Sequence, residues 1–285
     1  MSDCIRFVQF IHPGGEHAPD IGNLRSWNKT NQGHKRKFLR SSGTYLSSHV
    51  QRIGEIDFWG EWEPESVIAE AISSPLLHGP RNVFRPHWQL PDSFEGLQNT
   101  DPFVFGKRIC YMGCQQRTRR WETRLRHLDR GSVVLFGSQV AGVFVVDTVF
   151  VVQSWIEHSA ATYAEIARCV DSTYFDVTFR PWYAAVEGPF PTWRLYFGAT
   201  IDDPVNDMYS FFPCLQATTP TRGFARPSVE LEGFVNPALR QGKKAEEVTM
   251  AQAIALWTKV RDQVVDQGLL IGLGADMPAK VGGAT

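Results

Sequence analysis

The run "GVFVVDTVFVV", Gly142 to Val152, constrains the fold more than any other stretch of this chain. It is β-branched and aromatic throughout and lacks the alternation of a half-exposed strand, so it predicts a central strand covered on both faces. "SVVLFGS", Ser132 to Ser138, precedes it across a short turn and predicts an antiparallel partner. The run is too short for a membrane helix and contains Asp147. That carboxyl has to be paired or hydrogen-bonded if the strand is buried, with an arginine as partner or as a general acid or base.

Other segments supply further layers. "IRFVQFI" predicts a first strand, "KRKFLRS" an edge strand, and "EIDFWGEW", "GKRICYMGC", "TYFDVTF" and "WRLYFGAT" later strands. Helical spacing predicts helices after Pro64, over "TRRWETRLRHL", over "AATYAEIARCV" and from Glu247 to Gln267, with Gly268 as its C-terminal stop. Residues 74–102 show no period, and 275–285 are expected to fray. The fold class is therefore α+β: a mixed or antiparallel sheet, flanking helices and a C-terminal amphipathic helix. One domain over residues 1–285 is expected, with a sub-boundary near 155–170.

With 43% hydrophobic and 21% charged residues, the composition is that of a globular chain. Five cysteines without regular spacing argue against a disulfide framework, and the N-terminus lacks the pattern of a secretory leader. A cytoplasmic protein without a membrane partner is expected. The formal net charge of −1 hides two basic segments: Arg25–Arg40, with six Lys or Arg and no acid, and Arg117–Arg130, with six arginines against two acids. Such segregation suits a nucleotide or nucleic acid as partner, or two solvated surfaces.

Carboxylates set between large rings mark "FWGEWEPES", Phe58 to Ser66. Strand alternation puts Trp59, Glu61 and Glu63 on one face and Phe58 and Trp62 on the other. The first set is expected to line a cavity. Trp59 would stack on a base and Glu61 would accept hydrogen bonds, or Trp59 and Trp62 would be core and the glutamates solvated or arginine-paired. "HPGGEH", His12 to His17, is a glycine turn after the first strand, suited to a phosphate or other ligand, to a metal although no known zinc spacing is matched, or to nothing more than the turn. Asn99 and Asp101 in "NTDPFVFG" are ligand or Asx-turn candidates, and Gln115 and Gln116 could read a base edge. Arg119 and Arg120 would meet phosphate. Cys110 and Cys114 lack a second ligand pair at a zinc spacing, so neither a metal nor a cofactor is expected.

The order "WGEWEPES", "NTDPFVFG", "CQQ", "LRHLDRGSVVLFGS" and "FVVDTVFVV" resembles the nucleotide-modification-associated domains of phages and bacterial mobile elements, over about Ile5 to Val152. The last two segments also resemble PUA-like domains, although Ser132 stands where those carry aspartate. The resemblance implies a small β-barrel core and a nucleotide or modified base as ligand. Two functions follow. In one, the protein binds a base in an aromatic and carboxylate pocket. In the other, it is an enzyme acting at a nucleotide glycosidic bond with Glu61, Asp101 and His12 as catalytic groups. A third is an interaction protein whose aromatics are all core.

Overall fold

A computed structural model describes residues 3–12, 14–73, 75–118, 121–185 and 192–281. The chain is α+β, with 41% strand and 16% helix. Six strands form one mixed sheet: β1 (Arg6–Ile11), β7 (Cys110–Met112), β8 (Val133–Val140), β9 (Val143–His158), β10 (Trp193–Gly198) and β12 (Gly242–Glu247), in the order β12-β1-β8-β9-β10-β7. Only β1 and β8 run parallel within it.

The second sheet contains β2 (Leu24–Arg25), β3 (Lys37–Ser47), β4 (Val50–Gly60), β5 (Ser66–Ala71), β6 (Asn82–Trp88), β11 (Phe212–Gln216), β13 (Leu270–Ala275) and β14 (Ala279–Lys280). Its order is β13-β11-β4-β3-β6-β5-β2, with β14 beside β6. Because β13 also pairs with β3, the strands β3, β4, β11 and β13 form a closed circuit of pairings.

The apolar run behaves as its composition predicts. β9 lies between β8 and β10, and every residue from Phe144 to Val152 is buried. Its hairpin with β8 turns on Ala141 and Gly142, both at positive φ, as a tight two-residue loop demands. Gly137 lies at the register shift in β8, where an added Cβ would stand 2.1 Å from the Val145 carbonyl oxygen.

Several expected elements differ. "KRKFLRS" opens β3, an interior strand of eleven residues rather than an edge, because it pairs with β4 through a hairpin turning on Ser48 and His49 on one side and with β6 and β13 on the other. The segment after Pro64 is β5 instead of a helix: pairing with β6 and β2 outweighs its helical spacing. β6 falls within the stretch that shows no period. "TYFDVTF" is helical, part of a continuous helical segment over 172–185. Asp171 caps it by accepting from the Thr173 N–H at 2.7 Å, and Tyr174, Phe175, Val177 and Phe179 are buried. The other two short helices shrink to single turns, Arg124–His127 and Tyr163–Ile166. The expected fraying of 275–285 holds for none of the described part, since β14 pairs with β6 and Val281 donates to the Trp88 carbonyl at 2.7 Å. The C-terminal helix, Met250–Asp266, starts on a capping box between Thr249 and Gln252 and buries Leu256, Trp257, Val260 and Val264.

Candidate functional site

Five chain segments bring titratable groups to one place. His12 follows β1, with its backbone N–H donated to the Gly137 carbonyl at 2.7 Å. His17 and Arg36 are held by a two-way exchange: His17 N–H donates to the Arg36 carbonyl at 2.9 Å and Arg36 N–H to the Gly15 carbonyl at 2.8 Å. His34 precedes β3, and Glu61 and Glu63 follow the end of β4. Asp101, before Pro102, and Cys114, just past β7, close the cluster.

Glu61 is the hub. Its Oε2 accepts from Arg36 Nη1 at 2.9 Å, and its Oε1 accepts the Asp101 backbone N–H at 3.1 Å and lies 3.3 Å from His34 Nδ1. Arg36 Nη2 stands 2.7 Å from His12 Nδ1. A guanidinium only donates, so that nitrogen is the acceptor, and His12 Nε2–H faces Cys114 Sγ at 3.3 Å. The 3.1 Å approach of Glu61 Oε2 to His12 Nδ1 is then two acceptors sharing Arg36. Arg36 Nε donates to Asp147 at 2.8 Å, and Arg226 reaches the other Asp147 oxygen at 3.4 Å. Gly14 matters here because of space: its carbonyl accepts from Arg226 at 2.6 Å, and a Cβ on it would stand 2.9 Å from the Ser138 Cβ.

Glu63 lies against Glu61 and is fully buried. Its Oε1 is 3.1 Å from His34 Nδ1, while its Oε2 and both His17 ring nitrogens have no hydrogen-bond partner among the described residues. His17 Nε2 is 3.7 Å from that oxygen, too far for a bond. His34, with 24% of its side chain exposed, is where the cluster meets solvent.

The electrostatics follow from burial and pairing. Burial opposes charge on His34, yet Glu61 and Glu63 push it up to about 10. Burial would raise Glu61, but His34 and Arg36 hold it well below the ordinary carboxylate range. Burial pushes Asp101 up to about 7 against the Cys114 and Met112 backbone N–H groups that it accepts. Burial holds His12 and His17 below the usual histidine value. The carboxylates of Glu61, Glu63 and Asp147 are thus balanced by Arg36, Arg226 and His34.

Of the residues singled out in the sequence, His12, Glu61, Glu63 and Asp101 do converge. Asn99 is buried two positions before Asp101. Others have different work. Trp59 is not a stacking platform: it is 4% exposed, donates from Nε1 to the Phe224 carbonyl at 2.8 Å and packs on Phe38. Gln116 spends its amide on the backbone of Arg194, accepting at 2.9 Å and donating at 2.7 Å, so it cannot read a base edge. Gln115 is a turn residue at positive φ whose carbonyl accepts from Lys243 at 3.0 Å and Thr123 at 2.7 Å. Arg119 and Arg120 lie outside the described residues.

Four of the ten described Lys and Arg residues of the two basic segments are buried. Arg36, Lys37 and Arg40 are buried, Lys37 donating to the Pro64 carbonyl and Arg40 to Asp57, each at 2.7 Å. Arg126 is buried against Glu157. His34, Arg36 and Arg226 were not singled out as site residues. The spacing His34-x-Arg36 carried a signal, hidden by its place in a segment that reads as basic surface. Among the described residues no helix is long and apolar enough to cross a membrane.

No family model, curated protein or solved structure matches this chain.

Proposed function

We propose that this protein is an enzyme whose centre is the carboxylate and imidazole cluster around Glu61, with the substrate entering over His34. The observation that carries this reading is convergence: Glu61, Glu63 and Asp101 meet His12, His17 and His34 from four segments of the chain. Burying that many ionisable groups costs stability unless they are paired, and a core of ordinary apolar residues would hold the sheets together without them. The reaction class is hydrolysis or group transfer assisted by a carboxylate and an imidazole.

A binding module that stacks a base has less support, since Trp59 is core and Gln116 is committed to the backbone. The resemblance to nucleotide-modification-associated domains makes nucleotides the substrate class to try first, the glycosidic bond being one that carboxylates can cleave. The test is a mass-spectrometric assay of tag-free protein with nucleosides, nucleotides and short oligonucleotides. Turnover should be lost in Glu61→Gln and in His34→Ala, with far-UV spectra showing that each variant is folded. Turnover unaffected by both replacements, or a library left wholly unchanged, counts against the reading.

A further inference from the structure

We infer that His34, Glu61 and Glu63 form a binding site for one divalent first-row cation, such as Zn²⁺ or Mn²⁺, with a coordination position left open toward solvent. This deepens the enzymatic reading above, but it rests on the donor geometry alone. It also departs from what the cysteine spacing suggests, because the donors are imidazole and carboxylate rather than thiolate.

The distances fit. One donor atom from each of the three side chains lies within 4.8 Å of the other two. His34 Nδ1 is 3.3 Å from Glu61 Oε1 and 3.1 Å from Glu63 Oε1. Donors about 2.0–2.2 Å from a tetrahedral cation stand about 3.3–3.6 Å apart, so small adjustments complete the site. A neutral or charged imidazole carries at most one hydrogen on Nδ1 and serves only one of the two carboxylates well. A cation at the same place serves all three groups.

A second observation points the same way. Glu63 Oε2, fully buried, has no hydrogen-bond partner among the described residues, and His17 Nε2 faces it unpartnered at 3.7 Å. Groups of this kind are rare in folded proteins and call for an explanation. A cation that Glu63 binds through both carboxylate oxygens gives Oε2 its partner and leaves His17 as a positioning residue behind it.

The surroundings resemble the outer layer of metal sites, where ligating carboxylates are themselves hydrogen-bonded. Glu61 accepts from the Asp101 N–H at 3.1 Å and from Arg36 at 2.9 Å, which fixes its direction. His34 is the only one of the three donors with substantial exposure, so the open position faces water. A cation there would bind water at that position and make it a better nucleophile, the usual service of such ions in hydrolysis.

The test is equilibrium binding, with no substrate required. Full-length tag-free protein, stripped with chelator and dialysed, is titrated with Zn²⁺ by calorimetry and with Co²⁺ by visible absorption. One equivalent should bind, with intense visible bands for Co²⁺. Affinity should fall at least tenfold in His34→Ala and in Glu63→Gln, whose far-UV spectra report folding. Replacing the exposed His49 and His78 by alanine should change nothing. Wild-type binding no tighter than that of His34→Ala, or binding lost with His49 and His78, overturns the site. If no cation binds while His34→Ala still abolishes turnover, the site fails and the enzymatic reading stands. If one equivalent binds but turnover ignores His34, the site stands and that reading fails.

Discussion

Arg36 joins Glu61 to Asp147, donating from Nη1 at 2.9 Å to the first and from Nε at 2.8 Å to the second. One guanidinium therefore links the end of β4 in one sheet to the middle of β9 in the other. All three side chains are almost completely buried. Removing one member leaves a charge in the interior without its counterpart, which typically costs about 3–5 kcal/mol. Asp147→Ala should lower the urea midpoint accordingly, and Asp147→Asn, which keeps the shape and one acceptor, by less. An unchanged midpoint in Asp147→Ala would show that Arg36 and Arg226 find other partners.

Trp59 should behave as a core residue. It lies edge-on to Phe38, under the Arg226 guanidinium 5.1 Å from its ring centre, with its N–H satisfied by Phe224. Trp59→Ala should cost about 3–5 kcal/mol, in the range of large aromatic truncations. Urea unfolding measures it. A stable variant with impaired ligand binding would restore Trp59 to the surface of a site.

Four of the five cysteines should separate by reactivity. Cys169 is exposed, whereas Cys110 and Cys214 are buried. Burial, with Asp101 and Glu61 adding to it, pushes the Cys114 thiol well above its usual range. Thiolate is the reacting form, so a thiol-exchange reagent near pH 8 should modify Cys169 first. Cys110, Cys114 and Cys214 should follow only on unfolding. Rapid labelling of Cys114 in the native protein, seen by peptide mapping, would contradict this placement.

Acid should weaken the fold partly through His158. Its Nδ1 is hydrogen-bonded with the Tyr183 hydroxyl at 2.7 Å, and burial with Arg126 nearby holds it down from 6.5 to about 3. Between those values the unfolded chain binds the proton and the native one does not. The stability present above pH 6.5 is therefore lost as pH falls toward 3, with a slope of up to about 1.4 kcal/mol per pH unit from this group. His158→Gln should flatten the stability profile in that window relative to wild type. Parallel profiles would mean that His158 titrates alike in both states.

How much of this was legible in the sequence differs by element. The strand from Val143 to Val152, the buried Asp147 and the C-terminal helix announce themselves through local pattern: an apolar run without alternation, a charge interrupting it, a capped helical stripe. The helix over 172–185 and strand β5 do not, because pairing and burial supplied by distant segments outweigh propensities worth tenths of a kcal/mol per residue. The β3–β4 hairpin was hidden for another reason. Its turn on Ser48 and His49 carries neither glycine nor asparagine.

The site divides in the same way. The residue types around Glu61, Glu63, Asp101 and His12 were readable, because acids between tryptophans and a histidine beside a glycine turn are unusual in a local window. Their partners were not. His34 and Arg36 lie in a run of basic residues that in isolation belongs on a surface. Only the tertiary structure decides that Arg36, Lys37 and Arg40 point inward, since each needs a carbonyl or carboxylate from another part of the chain to offset its desolvation. Trp59 and Glu61 show the limit most clearly. Alternation predicts a shared face, but the strand ends at Gly60, and beyond it the chain is aimed by Asp101 and Arg36 rather than by the pleat. Local pattern determines which groups are available to be buried together; long-range pairing, which satisfies their charges, determines which of them meet.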